Sequence, residues 1–243
     1  MRLRVMVYNV KAFRRGVRGI AALVAEHGPD VALVQECGPR HRLRRFAGAL
    51  GMEAASAHVP FRRSIHNAVL VRPPWRVLSS RLHRFPRESG RSPRGALIIR
   101  MGRSGFRMWV VSLHLGLHPG ARRRNAEELT SWLPSLGGAV LAGGDMNEGP
   151  DGRAVRWVSD RLWDCFDRAG EGPGETYPAA DPQARIDYLF VNDAVEVERT
   201  LVVRGPGPAA CSDHLPVLVD LRLRAQSPRA RGEAGPPREE TVG

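Results

Sequence analysis

A chain of 243 residues, 42% apolar and 26% charged, holds enough core-forming material for one sizeable α/β or sandwich domain. No apolar run approaches the roughly 18 residues of a membrane-spanning helix, and the N-terminus lacks the apolar stretch of an export signal, so a cytoplasmic protein is expected. The net charge of +12 is almost wholly arginine, with Lys11 the sole lysine, and three cysteines without metal-type spacing (Cys37, Cys165, Cys211) argue against a disulfide framework.

In chain order, residues 3–9 alternate as a strand, and 16–27 carry Ile20, Leu23 and Val24 on one helical face before His27-Gly28-Pro29 stops the helix. Residues 31–35 are a short apolar strand ending at Glu36, and 40–50 are a second helix closed by Gly51. Strands are expected over 68–72, 77–82, 96–101 and 106–114, with an Arg-, Pro- and Ser-rich loop between Leu82 and Gly95. A helix over 122–136 and a strand over 139–141 lead into the turn Gly143-Gly144-Asp145. Strands over 186–191, 195–203 and 215–223 complete the set. Neighbouring strands with helices interspersed suit two packed, mostly antiparallel sheets flanked by helices, in one domain over residues 1–224. Residues 225–243 have almost nothing apolar to bury and read as a disordered tail.

Polar residues gather where these strands end. Ser212-Asp213-His214 is the most informative group, because an acid beside an imidazole can serve one phosphate through a cation and a hydrogen-bond donor. Glu36 follows an apolar strand and suits a hydrated Mg²⁺, which takes one or two carboxylates and keeps other positions for water and phosphate. Asp213 is a second acidic contributor, and Asn9 can orient a water or a carboxylate without adding charge. Asp145 and Asn147 share a tight turn, so an ionised Asp can take a proton from a water that the Asn orients. Asp187 enters an apolar strand, a costly position unless paired, and His214 needs a partner to set its tautomer. His114 would donate to a phosphate oxygen. Taken singly, Asn9 as a turn cap, Glu36 as a solvated strand end and His114 as an ordinary buried histidine are all adequate explanations. They would have to hold together, which is a poor coincidence.

The ordered set Tyr8-Asn9-Val10, Val34-Gln35-Glu36, Ser112-Leu113-His114-Leu115, Gly143 to Asn147, Arg185 to Phe190 and Ser212 to Pro216 resembles the endonuclease/exonuclease/phosphatase superfamily, the DNase-I-like metal-dependent phosphoesterases. The resemblance spans residues 3–223 and implies a four-layered α/β sandwich with its site at one edge of the two sheets. It implies Glu36 as the main ligand of Mg²⁺, with Mn²⁺ as an alternative, and Asn9 and Asp213 beside it. Asp145 would activate the water with Asn147, His214 paired with Asp187 would stabilise the transition state, and His114 would bind a phosphate oxygen. Asn67, Arg122 and Arg185 are the expected substrate contacts. The pancreatic-type DNases pair their first histidine with an acid from the region 65–72; here that region offers His66 and Asn67 and no carboxylate. His114 where abasic-site endonucleases carry Tyr, and the lack of a Trp-containing turn before Asp145, point away from those nucleases and from inositol-polyphosphate phosphatases.

The function expected is a Mg²⁺-dependent phosphodiesterase acting on nucleic acid, as a monomer. Arg62, Arg63, Arg84, Arg87, Arg91, Arg94 and Arg122–Arg124 are available to track a phosphate backbone. The same arginines read equally as genomic codon bias on solvated faces. A hydrolase of small phosphoesters or phospholipid head groups is the alternative, and a catalytically silent binding module the third.

Overall fold

The period-2 alternation of the strands decides both the layers and the position of the site. The computed structural model describes residues 1–56, 65–86 and 91–224. Arg62, Arg63, Arg87 and the expected tail fall outside the described residues. One sheet holds β1 (Arg2–Asn9), β2 (Val31–Gln35), β3 (Glu53–Ser56), β4 (Ala68–Val71), β10 (Gly170–Glu171), β12 (Val195–Val202) and β13 (Val217–Leu223), in the order β10-β12-β13-β1-β2-β4-β3. The other holds β5 (Arg76–Arg84), β6 (Gly95–Arg103), β7 (Phe106–His114), β8 (Ala139–Asp145), β9 (Trp163–Asp164) and β11 (Asp187–Val191), in the order β5-β6-β7-β8-β11-β9. The pairs β1–β2, β7–β8 and β10–β12 are parallel and the other pairings antiparallel, so the sheets are mixed.

Leu3, Val5 and Val7 of β1, Leu33 of β2, Val110 of β7, Leu141 of β8 and Leu189 of β11 form the core between the sheets. The alternate residues face outward. Met6, Tyr8, Ala32 and Val34 pack under α1 (Val17–His27) and α2 (Arg40–Leu50), and Val111, Leu113, Ala142 and Phe190 under α3 (Pro119–Trp132) and α4 (Arg153–Ser159). The result is the expected helix–sheet–sheet–helix sandwich. None of these helices is long and apolar enough to cross a membrane among the described residues.

Several boundaries differ from expectation, each for a local reason. Helix α3 starts at Pro119 rather than Arg122, because proline is tolerated in a first turn and the His118 side chain caps the helix by accepting from Gly120 N at 3.2 Å. It gives way to a 3₁₀ turn at Leu133–Ser135, where Pro134 cannot donate to the helix ladder. Strand β8 runs on through the glycines to Asp145, and β13 begins at Val217, two residues late. The short strands β3, β9 and β10 and the short helices α4, α5 (Cys165–Ala169) and α6 (Pro206–Cys211) carry too few residues for a periodic signal. Cys37 and Cys165 are buried and Cys211 half-buried, all as free thiols.

Candidate active site

The inward-facing rows of the core strands end in the polar residues. Positions 3, 5 and 7 of β1 lead to Asn9, 110 and 112 of β7 to His114, 141 and 143 of β8 to Asp145, and Asp187 opens the row continued by Leu189 and Val191. Register places His114 and Asp187 each opposite Asp145 on neighbouring strands. The parallel pairs bring the C-terminal ends of β1, β2, β7 and β8 to one edge, where β4, β6, β11 and β13 begin. Gly144 makes this edge possible: its φ is 148°, and a Cβ there would lie 1.9 Å from Leu113 O.

Asp145 is the hub. Its Oδ2 accepts from Asn9 Nδ2 at 3.0 Å and lies 3.4 Å from His114 Nε2 and 3.8 Å from His214 Nε2, while Oδ1 accepts from Asn147 N at 2.9 Å. Asn9 Nδ2 also reaches Glu36 Oε1 at 3.4 Å, so one amide bridges two carboxylates. Glu36 follows β2 with φ at 50°, and Asn147 has φ at 52°. Lys11, Ala12 and Phe13 are left-handed too, with φ of 41°, 54° and 53°. A left-handed non-glycine residue costs about 1–2 kcal/mol, so backbone strain is concentrated at this edge. At Glu36 it breaks the strand alternation and turns a half-buried carboxylate toward Asn9.

His214 Nδ1 donates to Asp187 Oδ2 at 2.8 Å, and Thr176 Oγ1 donates to the same oxygen at 2.7 Å. Ser212 Oγ donates to Asn9 O at 2.7 Å, tying the entrance of β13 to the end of β1. The Tyr177 ring lies 4.9 Å from the His214 ring and is itself exposed. Burial opposes charging His214, but the charge and hydrogen bond of Asp187, with Asp145 and Asp213 behind, raise it to about 9. Burial first, then the charge of Asp187, pushes the Asp145 carboxyl up; His214, the Asn147 N–H and the Asn9 amide pull the other way.

The raised value of His214 fixes the sign of a pH effect. Its pairing contributes stability in full below the ordinary histidine value near 6.5 and loses it as pH rises through about 9. We expect the stability difference between the parent and His214→Gln, from urea unfolding, to shrink steadily over that interval. A difference independent of pH would mean that His214 is not held charged.

The other expected residues are placed as follows. Asp213 is half-buried and its Oδ2 pairs with the ammonium of Lys11, while the backbone N–H of Lys11 donates to Asn9 Oδ1 at 3.0 Å. Asn147 Nδ2 donates to Leu115 O at 3.1 Å. Asn67 is buried, and its amide spans Gly95 O and Ser112 O, both at 3.0 Å. Arg122 donates from Nε to Glu148 at 3.1 Å, and Arg185 is held by Asp164 at 2.6 Å and Asp167 at 2.9 Å. Both guanidiniums, expected as substrate contacts, are thus engaged by carboxylates of the protein, and Asn67 is a clamp between backbones. Sequence reasoning did not find Thr176 or the pairing of Lys11. The second had a signal in composition, because the one lysine of an arginine-rich chain follows two residues after Asn9.

Hard oxygen donors suit a Mg²⁺-like ion, and the carboxylates of Glu36 and Asp145 are brought together by the one Asn9 NH₂ group that bonds both. Asp145, Asp187 and His214 also have potential ligand atoms within 4.8 Å of one another. The donor set therefore fits a divalent cation.

The family model described as Endonuclease/Exonuclease/phosphatase family matches residues 6–214. The uncharacterized protein YbhP of Escherichia coli K12 is 29% identical over 139 residues, covering 55% of this chain and 54% of its own, so the chain spans about half the length of the curated relatives it matches. Among solved structures, a mannosyl-6-phosphatase of Bacteroides thetaiotaomicron superposes with TM-score 0.78 at 21% identity, covering 91% of this chain and all (100%) of that one. The D. rerio TDP2 complexed with a single-strand DNA product gives 0.76 at 16%, covering 91% and 99%. A conserved protein of unknown function from Enterococcus faecalis V583 gives 0.77 at 18%, covering 91% and 100%. These likenesses establish the fold.

Proposed function

The chain belongs to the Endonuclease/Exonuclease/phosphatase family, and from that premise we propose a divalent-metal-dependent phosphodiesterase that hydrolyses nucleic acid by in-line attack of water. The observation that carries the reading is the convergence of Asn9, His114 and His214 on one buried carboxylate, Asp145, within 3.0, 3.4 and 3.8 Å. Three donors around an acid form a cradle for a phosphoryl group and the water that attacks it.

Glu36 would hold the cation as its main ligand, with the Asn9 amide bonded to Glu36 and Asp213 nearby in its pair with Lys11. When bound, the ion neutralises phosphate charge and eases departure of the leaving oxygen. Asp145 takes the proton of the water. Its carboxyl is pushed up by burial, toward the range in which a general base works best at neutral pH. His214, held charged by Asp187, and His114 donate to the non-bridging oxygens. Support for a nucleic-acid substrate comes from exposed Arg14 and Arg15 after β1, Arg91 before β6, and Arg123 and Arg124 in α3 after β7, all in segments that leave or enter the site edge. A small phosphoester is the second reading, favoured by the likeness to the mannosyl-6-phosphatase.

Hydrolysis of bis-p-nitrophenyl phosphate and nicking of plasmid DNA, each with Mg²⁺, Mn²⁺ or EDTA, tests the proposal. Metal-dependent cleavage of both supports a nuclease; cleavage of the small diester with intact plasmid favours the second reading. Inactivity on both substrates with either metal would sink the nuclease. Glu36→Gln should raise the Mg²⁺ concentration needed for half-maximal rate by at least about tenfold, since one charged ligand is lost. An unchanged metal requirement would remove Glu36 as the ligand.

A further inference from the structure

The partner of His114 is an arginine. Arg94 Nη1 lies 3.2 Å from His114 Nδ1. A guanidinium has only donors and does not deprotonate in proteins, so Nδ1 must be the acceptor and carries no proton. The imidazole then has its single proton on Nε2, the nitrogen 3.4 Å from Asp145 Oδ2. We propose that Arg94 is a positioning residue that locks His114 as the neutral Nε2–H tautomer and aims that one donor into the site.

The backbone under Arg94 is built to hold this contact. Phe85 N donates to Arg94 O at 3.0 Å, Asn67 Nδ2 donates to Gly95 O at 3.0 Å, and Gly95 is the register partner of His114 across β6 and β7. A Cβ at Gly95 would meet His83 O at 2.2 Å, so the strand approaches there as only glycine allows. The guanidinium thus starts from a fixed point beside the ring. Burial, then the charges of Arg94, His214 and His66, hold His114 well below the ordinary histidine range.

The consequence is a division of labour between two imidazoles that face the same carboxylate. His214, set by a carboxylate at Nδ1, keeps a proton on that nitrogen. His114, set by a guanidinium at Nδ1, can only lend a hydrogen bond. In the proposed reaction, on whose reading this role rests, His114 therefore binds a non-bridging oxygen and never protonates the leaving group.

The tautomer is measured directly, without turnover. Long-range ¹H–¹⁵N correlation on the metal-free full chain labelled at histidine, with the His114 signals assigned by their loss in His114→Asn, should show a bare Nδ1 and a protonated Nε2 near neutral pH. A protonated Nδ1 in the parent overturns the proposal whatever the enzyme does. Arg94→Met should give mixed tautomers and lower kcat by about 10–100-fold with KM little changed, and Arg94→Lys should recover part of both. A pure Nε2–H signal in Arg94→Met, or a raised KM at parental kcat, also overturns it. Inactivity of the parent on every phosphoester would remove the proposed reaction and leave the tautomer result standing.

Discussion

His214→Ala should lose about 10²–10³ in kcat with a small change in KM, the usual cost of deleting one preorganised donor at a site of developing charge. The ring is nearly buried, 2.8 Å from Asp187 and 3.8 Å from Asp145, so its place is set before substrate arrives. Folding should survive, because Thr176 Oγ1 still donates to Asp187 Oδ2. Steady-state hydrolysis of bis-p-nitrophenyl phosphate at saturating metal, with near-ultraviolet circular dichroism of both proteins, measures the two effects separately. Parental kcat in a folded variant would take His214 out of the chemistry.

Asp145→Asn should cost about 10²–10⁴ in rate, the range for removing a general base. Its effect on stability should run the other way. The Asp145 carboxyl is pushed up by burial and by Asp187, so above its ordinary range the folded state carries the cost of keeping it charged. The amide avoids that cost at neutral pH, although one of its atoms must then face a donor of Asn9 or Asn147. We expect loss of activity without a matching fall in the urea midpoint at neutral pH. As the pH drops and the parent protonates, any advantage of the variant should shrink. A variant that loses midpoint and activity together would point to a structural role for Asp145.

Much of the sandwich, and the gathering of the candidate site residues at one edge of it, was legible because one rule governs both. A strand that alternates Leu3, Val5, Val7 and then offers Asn9 at the same parity points a polar group where the core ends, and the rows reaching His114 and Asp145 repeat the pattern. The donors that orient those groups were not legible. Arg94 sits in an irregular stretch with no period to place it, and Thr176 in a Gly- and Pro-rich one, so their contacts exist only once the segments have packed. The occupation of Arg122 and Arg185 was hidden in the same way. An arginine in sequence looks available, and only the folded chain brings Glu148, Asp164 and Asp167 against it.

The division of the site between two sheets has a mechanical consequence. Asn9, Glu36 and His214 ride on one sheet, and His114, Asp145 and Asp187 on the other, and among the described residues the sheets are joined by side-chain packing and side-chain hydrogen bonds, with no backbone ladder between them. A lateral slip of one sheet over the other by a fraction of an ångström would leave every backbone ladder intact and still pull the Asn9–Asp145 and His214–Asp187 contacts out of range. In the proposed phosphodiesterase, turnover would then gauge sheet alignment. Trimming Leu33 or Val110, deep between the sheets, should blunt the enzyme at temperatures where its secondary structure has not begun to melt.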